Sequence, residues 1–319
     1  MRGPMTLILV ACGGPNNGSQ APDGSMYGDT GATNVDPFTK YINVAPDVMV
    51  TGNFTGFVPG VSWDTTSWLT QNVDPALVVD HSLTGLVEDF EKDTPVDQAT
   101  VTFWDDDVFD TSPDDVQESD VNGFVYTTKS ACKPLTYRVT TDPVLAETKT
   151  TFEAHQIFGA PPGPDIGDAE FLSVSSTTYQ LIPTLLGVTV DPDKAIVAGT
   201  AFDVLRDGGL QSDDDTGKIA GAQVIVYDEN GNIPESLVVN YFLEDFPHRD
   251  QKYTSPDGLW VASNVPPGKL RVELWGNLNG ALTLLGATLV HSEANSINVS
   301  NIYSGFGEGV KYPNTCLVP

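Results

Sequence analysis

The chain has 319 residues, 40% of them apolar, which supports two or three cored domains and excludes disorder as its general state. Its 43 acidic residues against 15 Lys and Arg give a formal charge of −28, which excludes nucleic acid and anionic lipid headgroups as direct partners. The acidity leaves two readings open: a solvated, exported surface, or loops that hold divalent cations.

The chain begins MRGPMTLILVAC, one basic residue and a short apolar run ending in Leu9-Val10-Ala11-Cys12. This tetrad resembles the lipobox of bacterial lipoproteins, in which the Cys becomes the lipidated first residue after cleavage. The resemblance implies residues 1–12 as a signal peptide and Cys12 as the point of a membrane anchor. No Asp follows Cys12, which by the same resemblance favours the outer membrane or cell surface. Residues 13–34 are rich in Gly, Asn, Ser and Asp and read as a flexible tether. Residues 35–80 carry short, broken apolar runs and are expected to pack on the first domain. No other stretch approaches the roughly 18 apolar residues that a spanning helix needs.

Two similar units follow, over residues 81–160 and 191–303. In the second, Ala222, Val224 and Val226 alternate with other residues at period two, the mark of a strand. Asp257-Gly258 marks a tight turn, and Leu270, Val272 and Leu274 alternate after the breaker Pro266-Pro267-Gly268. The first unit repeats this plan. An offset of 114 carries Gly85 and Asp89 onto Gly199 and Asp203, 123 carries Ala99 onto Ala222, and 135 carries Gly123 and Leu135 onto Gly258 and Leu270. The offset grows only in loops. Lengthening a loop costs little, whereas slipping a strand by one residue turns its apolar face outward.

The repeated positions are Gly85, Asp89, Ala99, Val101, Asp120, Gly123 and Phe124, then Gly199, Asp203, Ala222, Val224, Asp257, Gly258 and Leu259. This punctuation resembles the carboxypeptidase regulatory-like domain, a seven-stranded β-sandwich similar in topology to transthyretin. The resemblance implies an all-β chain of two tandem seven-stranded sandwiches. Residues 161–190 are expected to join them. That linker opens with Ala160-Pro161-Pro162-Gly163-Pro164 and ends in a short helix with a hydroxyl cap at Ser175–Thr178 and a terminal Gly187. Pro183 should make this helix start late or bend. Residues 304–319 read as an irregular tail.

Candidate chemistry is sparse. His81, His155, His248 and His291 stand alone, and neither a zinc-binding pair nor a Gly-x-Ser-x-Gly elbow appears, so the chain is read as a non-enzyme. Two acidic runs are candidate calcium sites: Asp105, Asp107 and Asp110, and Asp213, Asp214 and Asp215. Calcium is the one cofactor that the residues suggest. Of three cysteines, a lipidated Cys12 leaves Cys132 and Cys316, and export would place both in an oxidising compartment. They are expected to pair, with separate thiols as the alternative. Trp104 and Trp260 stand out of phase with Val101 and Phe103 and with Leu259 and Val261, which makes them candidates for stacking on sugar rings. Together these features predict a non-catalytic envelope lipoprotein that binds, adheres or spaces, with a partner protein or glycan that they do not name. Two alternatives stay open: a carbohydrate- or calcium-dependent module of an envelope enzyme complex, and a self-associating surface fibre subunit.

Overall fold

The computed structural model describes residues 48–54, 69, 71–105, 109, 112–142, 147–204, 217–307 and 309–318. Strands dominate, because β-branched and aromatic residues recur at period two between Gly, Pro and Asp turns. In β1 (Asp80–Asp89), Leu83, Gly85, Val87 and Asp89 are buried in alternation with less buried neighbours. The first lobe continues with β2 (Thr100–Trp104), β3 (Asp115–Glu118), β4 (Phe124–Ser130), β5 (Pro134–Thr140), β6 (Thr148–Ile157) and β7 (Asp165–Ser175). β1 pairs antiparallel with β4 and parallel with β7, while β3-β2-β5-β6 form the facing sheet. Between them lie Leu83, Val87, Val101, Phe103, Tyr137 and Phe171. Removing each such side chain from water stabilises the fold by about 1.5–3 kcal/mol before entropy is counted.

The second lobe contains β8 (Ala195–Phe202), β9 (Ala222–Asp228), β10 (Val238–Leu243), β11 (Phe246–His248), β12 (Leu259–Val265), β13 (Gly268–Leu278), β14 (Ala281–Ser292), β15 (Ser296–Val299) and β16 (Ile302–Tyr303). One sheet is β14-β13-β9 and the other runs β11-β10-β12-β8-β15. Val197, Val224, Trp260, Val272 and Leu274 fill the space between them.

The two lobes pair their strands in the same register. Gly85 sits opposite Val125, and Gly199 opposite Trp260. Val101 faces Val139, and Val224 faces Leu274. Tyr137 faces Glu153, and Val272 faces Thr288. Each of these three second-lobe pairs is its first-lobe pair moved by the offsets 114, 123 and 135. Backbone–side-chain bonds repeat too. Ala99 N–H donates to Ser119 Oγ at 2.8 Å, and Ala222 N–H donates to Thr254 Oγ1 at 3.0 Å. Gly123 and Gly258 take φ of +82° and +69°, and a Cβ on either would lie 3.0 Å or less from a β1 or β8 carbonyl. Only glycine satisfies both demands without strain.

The junction departs from the linker expected over residues 161–190. Its first half is β7, a full strand of the first lobe. The helix α1 (Ser176–Leu186) starts directly after it, without the late start expected from Pro183. Ser175 Oγ accepts the Thr178 N–H, and Gly187 closes the helix at φ +74°. The second connection is a sheet. β15 runs parallel to β8 on one side and to β6 on the other, so a second-lobe strand is hydrogen-bonded into the first lobe. The N-terminal segment is also corrected. Val50 joins the second lobe's core and its N–H donates to Asn277 O, whereas Val73 and Leu77 pack on the first lobe. The tail crosses back: Cys316 is disulfide-bonded to Cys132, and Val73 bridges Leu317.

Candidate functional site

Several sequence candidates lie outside the described residues: Cys12, Asp107, Asp110, Asp213, Asp214 and Asp215. Asp105 does not join a set of carboxylates open to a metal. Its Oδ1 lies 2.8 Å from the Nζ of buried Lys129, whose ammonium is also 3.0 Å from Asp115 Oδ2 and 4.3 Å above the Phe103 ring. Burial opposes charge on Asp115, but hydrogen bonds from Thr127, Gln117 and Lys129 hold its pKa below the ordinary value. The Lys129 ammonium balances these two carboxylates. Among the described residues no three His, Cys, Asp or Glu side chains converge as metal ligands.

The sugar platform is overturned. Trp104 and Trp260 are 2% and 1% exposed, so neither offers a face to a ring. Trp260 points into the second lobe, and the residues taken as its strand's inward face, Leu259 and Val261, pack against α1. Both faces of β12 are covered, so alternation there does not reveal which side is interior. Trp104 lies at the junction, 4.4 Å from the Phe109 ring and 5.5 Å from the Arg138 guanidinium. Phe109 stacks on His291 of the second lobe at 3.8 Å, and Arg138 donates to Glu293 at 3.0 Å. Burial lowers the His291 pKa, Glu293 opposes this and Lys269 adds to it.

A cleft of about 550 Å³ opens between the lobes among the described residues. Its floor is the outer face of the second lobe, where Ile196, Ala198, Leu259, Val261 and Ile297 alternate with core residues. α1 supplies one wall through Tyr179 and Ile182. The first lobe supplies Glu88 from β1, Glu170 from β7, Glu153 from β6, and Asp93 beyond β1. Lys218 also lines the cleft. Burial raises the Glu88 pKa, and the charges of Glu170 and Asp93 raise it further. Tyr179 is 5% exposed and its hydroxyl has no hydrogen-bond partner; burial pushes its pKa up to about 12. No single sequence run marks this site, because its residues come from seven strands and a helix.

Neither a family model nor a curated protein matches the chain. Among solved structures it is similar to the Bacillus anthracis TIE protein at 13% identity and TM-score 0.23, over 70% of this chain and 34% of that one. It is also similar to the shaft pilin SpaA of Lactobacillus rhamnosus GG, at 7% identity and TM-score 0.21, over 71% and 98%. BcpA, the major pilin subunit of Bacillus cereus, aligns at 9% identity and TM-score 0.22, over 71% and 99%. Superpositions this loose leave the functional reading to the chain's own residues.

Proposed function

We propose that the chain is a non-catalytic protein of the bacterial cell envelope, held by a lipid on Cys12, that presents a stiff two-lobed body for binding or spacing. Both lobes are read as carboxypeptidase regulatory-like sandwiches, on the repeated Gly, Asp and Ala positions and the shared register. The observation that carries the reading is β15, hydrogen-bonded to β8 and β6 together. A hinge between tandem domains is an exposed linker that few contacts cross. Here a strand crosses, and the segment that follows the second lobe is tied into the first lobe's core by the Cys132–Cys316 bridge. Such a body keeps a fixed distance and angle between its ends, which suits a spacer or a display scaffold.

The anchor is tested by fractionating a lipoprotein-processing bacterium that expresses the full chain or its Cys12→Ser variant. The unaltered chain should sediment with membranes and the variant should stay in the soluble fraction. Equal distribution of the two would defeat the reading.

A further inference from the structure

We propose that the cleft between the lobes binds a small organic cation, an apolar body carrying one ammonium or guanidinium group. Its volume of about 550 Å³ lies within the range of roughly 300–1,000 Å³ usual for small-molecule sites. Aliphatic side chains from β8, β12 and β15 form the floor, and they would cover the apolar body. Glu88, Glu170 and Asp93 sit at the first-lobe side, and mutual repulsion among them opposes charge on Glu88. A bound cation would relieve that repulsion where water is partly excluded, and an anion would worsen it.

The independent observation is Tyr179. Its ring lines the cleft and is almost wholly buried, with the hydroxyl oxygen closed off from solvent. The ring can lie against the apolar body or under the cation. Lys149 already sits 5.0 Å from that ring, which shows that it tolerates a cation nearby. Lys218, also lining the cleft, sets a limit on how much positive charge the ligand can carry.

The test uses the full chain made without lipid as Cys12→Ser, and three probes of equal length: octylamine, octanol and octanoate. Methyl NMR follows Ile196, Leu259, Val261 and Ile297 on the cleft floor. Octylamine should shift these signals saturably, octanol should bind about tenfold more weakly, and octanoate should not bind. The Glu88→Gln/Glu170→Gln double variant should bring the amine down to the level of the alcohol. Glu229→Gln, away from the cleft, should change nothing. Octanoate binding as well as octylamine, floor methyls indifferent to all three probes, or an amine preference that survives the double substitution would each overturn the proposal. The readout is ligand binding and not membrane attachment, so its failure leaves the proposed anchor untouched.

Discussion

The two lobes share a pairing plan and differ in how they close their edges. In the first, β3 pairs with β2, and Lys129 on β4 reaches Asp105 and Asp115 on the facing sheet. In the second, the strand after β9 changes sides: β10 pairs with β12 and carries β11 with it. The offset of 135 places Asn264 where the first lobe has Lys129. Asn264 bonds locally, accepting from Asp191 N–H at 2.8 Å and donating to Thr189 O at 3.1 Å. Cys132 likewise has Pro267 as its counterpart. The repeated positions set which strands meet and in what register. The edges are free to diverge, so one lobe is closed by charge and a covalent bond and the other by added strands and packing.

The largest test of this contrast is the disulfide. It spans 184 residues, and its loss through Cys132→Ser should lower unfolding stability by about 4 kcal/mol, read from chemical denaturation under oxidising conditions. An unchanged midpoint would mean that the tail is held by packing alone. Next comes Lys129→Met, which strands two carboxylates at the sheet edge and should cost about 3 kcal/mol by the same measurement. Asn264→Ala, at the matching place in the second lobe, should cost only about 1 kcal/mol. Equal losses at the two positions would contradict the division between edges.

A third pair compares the glycines. A Cβ on Gly199 would lie 1.7 Å from Ser300 O, a backbone atom of the segment that joins β15 to β16. On Gly85 it would lie 2.3 Å from the Phe171 ring, a side chain rather than the backbone. Gly199→Ala should therefore cost about 3 kcal/mol and Gly85→Ala about 1 kcal/mol, seen as unequal drops in melting temperature. The smallest effect concerns pH. His291 is held below its ordinary pKa of 6.5 in the folded state, so the unfolded chain takes up a proton first as pH falls. Its stabilisation is complete above the unfolded value and is lost as pH drops through it towards the folded value, by less than about 1 kcal/mol. His291→Phe, which keeps a ring against Phe109, should flatten that part of the curve of melting temperature against pH.

Much of this plan is legible in the sequence, because a repeat is a local pattern compared with itself. Offsets read from Gly, Ala and Asp positions reproduce partners on separate strands, down to Val101–Val139 and Val224–Leu274. The Ser175 cap and Gly187 stop are legible for the same reason, each being a contact within one turn. What crosses between lobes is not. β15 is four residues long and looks like any short apolar run, yet it joins both sheets. The strand hidden in residues 165–175 sits behind a Pro-rich start that reads as a break. The cleft is less legible still, since Glu88, Glu170 and Tyr179 acquire meaning only once β1, β7 and α1 are side by side.

The crossing of the chain ends has a consequence for synthesis. Val50 belongs to the second lobe, Cys316 to the first, and β15 borders both. A ribosome that has finished the first lobe's strands has not yet made the residues that seal it. The second lobe in turn waits on β15 and β16, which follow all its other strands. No intermediate length of this polypeptide is a completed domain, so truncated products carry open sheet edges and are ready prey for proteases. Folding is therefore expected to complete only after β15, β16 and Cys316 have been made.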